Sequence, residues 1–348
     1  MTDRTRLSPR FLGDPTGDPA LLVDIEGEPS SILIDCGDLK NASTTTLRRI
    51  SIILLSHHHI DHTIGFDTYL RNVLHADQTV QIYGPPGTIE TIGNRLLGYT
   101  WNLSTQLKLV FEVHDMEKDF CHQQRFRLSN RFQPEAAPQV IESPHPSTLP
   151  INPSLPYKIQ WTSLDHSGLS SIAYRIDETP FINIDPDRLQ AHGFRTGPWL
   201  KQVVQAIRNG HGSSHPIDNG QEQHSLGKLC DQFVQITPGR SLVYITDCGW
   251  TSENIQKIRA LAHQADLFFC EHYFANSEVD RASHFGHLTA SQAGQLAREC
   301  GVTELFGFHH SPRYRGMENE LLIEGQKAKE SEDPPPCDEQ LVAPEDPR

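Results

Sequence analysis

The chain has 348 residues, enough to bury a sizeable core in one large or two smaller domains, and 36% are apolar with 24 Pro and 24 Gly, as in a loop-rich globular protein. A net charge of −14 argues against a general nucleic-acid binder, and seven scattered cysteines (36, 121, 230, 248, 270, 300, 337) without a CxxC argue against a disulfide framework or a thiolate zinc site. No apolar leader follows Met1 and no apolar run approaches membrane-spanning length, so a cytoplasmic protein with no membrane association is expected.

In chain order, residues 20–56 look like strands separated by turns, with runs at Leu21–Val23, Ser31–Gly37 and Ile52–Leu55, the last a β-branched run suited to a buried position. His57, His59, Asp61 and His62 follow at once, on the loop leaving that strand's C-terminal end. Alternation lets His57 and His59 point one way while Asp61 and His62 turn toward a second site. Imidazole nitrogen and carboxylate oxygen suit Zn²⁺, with Mn²⁺ or Fe²⁺ as alternatives. A histidine-rich surface loop is the competing explanation, and the spacing directly after an apolar strand weighs against it.

Gln78–Gly84 reads as another strand, closed by Pro85-Pro86, with a helix from about Thr88 to Leu97. Leu109–Val113, Lys158–Ser163 and Ser171–Arg175 alternate like half-buried strands. Residues 133–156 carry seven prolines, so an insertion or loop is expected there. Arg188–Gly210 holds Arg188, Arg195, Lys201 and Arg208 with no acidic residue, a basic island in an acidic chain. Ser241–Thr246 reads as a strand, Asn254–His263 as a helix, and Leu267–Cys270 as a strand. Thr289–Cys300 has amphipathic helical spacing with Gly301 as its stop, and Leu305–Phe308 is a last strand. From Met317 on, ten acidic residues face only Lys327, Lys329 and Arg348, and an acidic, disordered tail is expected over 326–348. Strands first, then strands alternating with helices, predict an α/β protein of two sheets sandwiched between helical layers. His166, Asp247 and His309 each close an apolar run, where a capping Asp or a core His is also common.

The His57-x-His59-x-Asp61-His62 pattern resembles the signature of the metallo-β-lactamase superfamily. Later segments narrow the resemblance to the ribonuclease Z family, as a divergent member. Asp165-His166 before Ala173-Tyr174-Arg175-Ile176 is similar to a ligand histidine preceding a Gly-Tyr-Arg-Ile strand. Gly193–Leu200 resembles the Gly-Pro motif of that family's flexible arm, Glu271 a His-Glu-Ala-Thr stretch, Gly286–Ala293 a Gly-His-Ser-Thr helix start, and His309–Tyr314 the final His-Phe-Ser-Pro-Arg-Tyr. The chain departs from the family pattern at Gly37-Asp38-Leu39-Lys40 after Asp35-Cys36, in the acidic loop Gly13–Pro19, and at Cys270-Glu271-His272-Tyr273, which keeps only the Glu.

The resemblance implies an αββα metallo-β-lactamase sandwich over residues 1–325, with an arm inserted at about 177–240. It implies two Zn²⁺ per chain, one held by His57, His59 and His166, the other by Asp61, His62 and His309, with Asp247 shared; His114, His122 and His145 are rivals for the third imidazole. It further implies an endoribonuclease that removes 3′ trailers from precursor tRNA by attack of a metal-bridging hydroxide. In that chemistry Asp61 orients the water, His287 protonates the leaving 3′ oxygen and Glu271 partners His287. Arg195, Gly197, Pro198, Lys201, Arg208 and Arg313 would bind substrate, and a homodimer would present one subunit's arm to the other's site. A phosphodiesterase or other hydrolase acting on a small substrate, favoured by the net charge, and a non-catalytic RNA-binding protein are the competing readings.

Overall fold

A computed structural model describes residues 5–14, 16–142 and 147–331. The chain divides into two compact units, Met1–Asp177 together with Arg240–Arg348, and Glu178–Gly239.

The first unit begins with an eight-stranded sheet in chain order: β1 (Leu7–Phe11), β2 (Leu21–Ile25), β3 (Ser31–Ile34), β4 (Ile50–Leu54), β5 (Thr79–Gly84), β6 (Val110–Met116), β7 (Phe120–Arg127) and β8 (Gln139–Glu142). β3 to β6 run parallel and the flanking pairs antiparallel. β9 (Tyr157–His166) and β10 (Leu169–Glu178) follow, joined through Ser167 and Gly168, which both take positive φ. In the second unit, β11 (Phe181–Ile184) pairs with β14 (Val234–Thr237), and β12 (Pro216–Asp218) with β13 (Gln223–Ser225). Its helices Pro186–Ala191, Trp199–Arg208 and Leu226–Phe233 bury Leu189, Trp199, Val203, Leu229 and Phe233 in a core of their own. The chain then returns to the first unit with β15 (Ser241–Ile245), β16 (Leu267–Glu271) and β17 (Glu304–Phe308), which complete a five-stranded sheet of order β17-β16-β15-β10-β9. β10 and β15 are antiparallel neighbours, with Asp177 opposite Ser241.

Period-two alternation sends each strand's side chains into two different layers. Ile52 and Leu54 of β4 meet Leu242 and Tyr244 of β15 in a core between the sheets. Ile53 and Leu55 face outward against Leu47, Phe66, Tyr69 and Ile92 of the helices on the first sheet. Val243 and Ile245 pack against Ile255, Ile258, Leu296 and Ala297 of helices Ser252–Ala262 and Ala290–Glu299 on the second. Each such apolar side chain contributes roughly 1.5–3 kcal/mol on burial. The layers are therefore helix, sheet, sheet, helix, as the strand and helix pattern predicted.

Two expectations need correction. Within 133–156, the proline-free stretch Gln139–Glu142 forms the edge strand β8, because Val140 and Ile141 sit in a segment free to donate to β7. The segment 326–348, expected to be a disordered tail, is helical where it begins, since helix Glu318–Glu330 runs through that boundary. Leu321 and Gly325 are buried, Arg298 donates to the Ala328 carbonyl at 2.8 Å, and a Cβ on Gly294 would lie 2.1 Å from the Gly325 oxygen. The remainder of that tail, 332–348, lies outside the described residues. No helix among the described residues is long and apolar enough to cross a membrane.

Candidate metal centre

The parallel strands β4, β15, β16 and β17 end at one edge of the sandwich, and β9 points the same way. From those ends come the His57–His62 loop, Asp247, Glu271, His309 and His166. Asp35, Asp247 and His309 hold φ of +57°, +44° and +54°, backbone strain that the packed strands behind them must sustain.

Asp247 is buried at the middle. Its Oδ2 lies 3.6 Å from His57 Nε2 and 3.7 Å from His166 Nε2, while Oδ1 lies 3.5 Å from His62 Nε2 and 2.9 Å from His309 Nδ1. His309 Nε2 is 3.4 Å from Asp61 Oδ2. The side chains thus fall into two groups whose donor atoms lie within 4.8 Å of one another: His57, His59, His166 and Asp247, then Asp61, His62 and His309. His59 is the exposed member, its ring 4.4 Å from that of His57.

The hydrogen bonds behind the rings fix which nitrogen each presents. Ser56 Oγ donates to Asp35 Oδ2 at 2.9 Å and so accepts from His57 Nδ1 at 3.0 Å. His62 Nδ1 donates to Asp35 Oδ2 at 2.9 Å, and His166 Nδ1 to the Gly286 carbonyl at 2.8 Å. Each Nε2 is left facing Asp247, and those of His57 and His62 are buried without a hydrogen-bond partner. Buried polar atoms rarely stay unpaired, at a cost of about 1–3 kcal/mol each. Lone pairs converging on a shared carboxylate fit divalent cations well.

Charge points the same way, since the ion pairs of Asp35, Asp61, Asp247 and Glu271 are all with imidazoles. Burial disfavours a charged His62, yet the carboxylates of Asp247 and Asp35 outweigh it and pull its pKa up to about 10. Burial, then neighbouring His62, pushes His57 down to about 2. Burial opposes ionisation of Asp61, but its bond with His309 and the charge of His62 hold it well below the usual carboxylate range. The carboxylates demand positive charge at this point, as protons or as cations.

Beside this lies a pair of different character. Glu271 is fully buried; its Oε1 accepts the Cys248 and Leu288 backbone N–H groups at 3.1 and 3.2 Å, and its Oε2 accepts His287 Nδ1 at 2.8 Å. Burial lowers His287, but the Glu271 carboxylate outweighs it and raises the pKa above the ordinary value. With Asp247 and His309 the pair makes a third possible metal grouping. Glu271 already has its partners, however, so this grouping has less need of a cation than the other two.

Among the rivals, His114 is buried 4.2 Å from the ring of Tyr83 and pushed down to about 4 by burial, and His122 pairs with Glu117 at 3.6 Å. Neither joins the cluster, and His145 lies outside the described residues. Arg195, Gly197, Pro198, Lys201 and Arg208 belong to the second unit. There the Arg195 carbonyl accepts Trp199 Nε1 at 3.1 Å, Pro198 caps helix Trp199–Arg208, and Lys201 and Arg208 are exposed. Arg313 is held by Glu278 at 2.6 Å and lies over the Phe274 ring.

Sequence reasoning missed Asp35, whose carboxylate also accepts Ser56 N–H and Tyr244 Oη, both at 2.7 Å. The Asp-Cys at the end of the second strand was the available signal. It also missed why Gly37 stands there: a Cβ would lie 2.5 Å from Asp18 backbone carbon and from the Asp61 carbonyl oxygen, so only glycine fits between the acidic loop and the ligand loop.

The chain resembles a ribonuclease Z of Deinococcus radiodurans, 29% identical over 92% of this chain and 95% of that protein. It also resembles a ribonuclease Z of Thermoplasma volcanium, 24% identical over 86% and 85% of the two chains. Among solved structures, the metallo-β-lactamase fold protein YhfI of Bacillus subtilis shares the fold, with a TM-score of 0.50 and 16% identity over 92% of this chain and 93% of that one. The beta-lactamase superfamily domain model matches residues 31–146 and 173–310, from β3 to just past His309. With ligand loop, Asp247 and His309 inside a match of that extent, this chain belongs to the beta-lactamase superfamily.

Proposed function

We propose that this protein is a metal-dependent endoribonuclease that removes 3′ trailers from precursor tRNA. The observation that carries the reading is the division of Asp247, one oxygen toward His57 and His166 and the other toward His62 and His309. That arrangement suits a two-cation phosphodiester hydrolase. Similarity to ribonuclease Z proteins over nearly the full length of both chains supports RNA as the substrate. Two Zn²⁺ per chain and a homodimer belong to the same proposal and rest on the family resemblance, and a cytoplasmic location belongs with them on the free cysteines among the described residues.

His57, His59 and His166 would hold one cation, Asp61, His62 and His309 the other, with Asp247 between. Bound there, the cations would acidify a water and offset charge on the phosphate oxygens. Everything else falls to the chain. Asp35 and Ser56 lock the His57 and His62 imidazoles from behind so that Nε2 is presented. Asp61, the less buried acid, orients the attacking water. Glu271 binds Nδ1 of His287, so a protonated His287 carries its second proton on Nε2, ready for the departing 3′ oxygen. The products are a 3′-hydroxyl on the tRNA body and a 5′-phosphate on the trailer. Arg195, Lys201 and Arg208 would hold backbone phosphates in the second unit with Gly197 and Pro198 shaping the turn between them, and Arg313 could do so only by exchanging Glu278 for phosphate.

The test is cleavage of a 3′-extended precursor tRNA by purified, metal-analysed protein beside an Asp247→Ala control. A cut just after the discriminator base, absent in the control, is expected. Two bound metals with no cut would overturn the assignment of RNA.

A further inference from the structure

His287 is fixed by Glu271 at one atom, Nδ1. A single hydrogen bond leaves a ring free to tilt about the N···O axis, and tilting moves Nε2, the atom that must deliver the proton. The structure supplies the missing restraint in Tyr273, whose ring lies flat on that of His287, 3.8 Å between centroids and 3° between planes. Tyr273 also meets the His309 ring edge-on at 5.1 Å. The His166 ring is 5.1 Å from His287 at 57°.

Tyr273 is itself held from several directions. Its carbonyl accepts the Ser311 N–H at 3.1 Å, beyond His309, while Phe274 exchanges backbone bonds with Leu288 and Ala290, beyond His287. The tyrosine therefore sits on backbone tied both to the metal-ligand loop and to the acid's loop.

We propose that Tyr273 is a positioning residue for leaving-group protonation, its ring face holding His287 at the tilt that aims Nε2 at the departing oxygen. This rests on the acid role of His287 given above. Displacement of a reacting group by about 1 Å is enough to cost on the order of 10²-fold in rate. The effect depends on the leaving group: a ribose 3′ oxygen needs the proton, whereas p-nitrophenolate departs without it. Only the ring matters, so the hydroxyl is dispensable.

The test compares Tyr273→Leu, Tyr273→Thr, Tyr273→Phe and His287→Ala on precursor tRNA and on bis(p-nitrophenyl) phosphate, with metal content and Tm measured for each. Expected for Leu and Thr is a fall of about 10- to 100-fold in kcat on the RNA, little change in KM, and a p-nitrophenyl rate within about twofold of wild type. Phe should restore the RNA rate. Equal losses on both substrates, no loss on either, or failure of Phe to rescue would overturn the proposal. If His287→Ala shows the leaving-group contrast and the Tyr273 variants do not, the proposal fails alone. If His287→Ala lacks the contrast, or wild type leaves the RNA intact, the functional reading fails and takes this role with it.

Discussion

The two halves of the cluster differ in how their hydrogen bonds close. Around Asp247, imidazoles are held from behind and end in lone pairs with no partner, as at Nε2 of His57 and His62. Around Glu271, the carboxylate is satisfied by two backbone N–H groups and His287. Both halves bring their donor atoms within 4.8 Å of one another, so proximity alone does not tell them apart. Hydrogen-bond accounting does: an open half calls for cations, a closed half for a proton.

The most severe break is Asp247→Ala, which removes the shared carboxylate. A loss of about 10³-fold or more in RNA cleavage is expected, with metal falling below two per chain by elemental analysis. Next, Glu271→Gln should lower the RNA rate by about 10- to 100-fold while metal content holds, because the amide no longer stabilises a protonated His287. Metal loss in that variant would merge the two halves. Asp35→Asn should do the reverse. Metal affinity falls by about 10- to 100-fold in chelator competition, and activity returns when metal is added in excess. The smallest effect is expected for His114→Gln, where metal content and rate stay at wild type and stability falls by about 1 kcal/mol in denaturant melts.

The ligand loop and the layered fold were legible because each rests on local pattern. Ile52–Leu55 is an apolar run with the histidines directly behind it, and β15 to β17 alternate with amphipathic helices. What escaped is long-range or polar. β7, with Phe120 and Phe126 set among Cys, His, Gln and Arg, lacks the β-branched run that marks a central strand. Helix Phe66–Val73 buries Phe66, Tyr69, Leu70 and Val73, a pattern readable in retrospect but short. Asp35 meets Tyr244 across 209 positions of sequence, a bond that no spacing rule anticipates. Tyr273 could be seen only as a departure from its motif, until its ring was found against His287. Local periodicity places strands and loops; the partners behind a ligand are set by which strand ends the sheets bring together.

The adjacency of β10 and β15 has a consequence for how such a protein can change over time. The second unit leaves the sheet at Asp177 and the chain re-enters at Ser241, positions already opposite each other on neighbouring strands. A few residues could span that gap, so the 62-residue segment Glu178–Gly239 occupies the place of an ordinary hairpin turn. Lengthening, exchange or loss of that segment would leave the β10–β15 register unaltered. The two units can then drift at separate rates within one gene product, the first held nearly fixed by its packed sheets while the second is free to be rewritten.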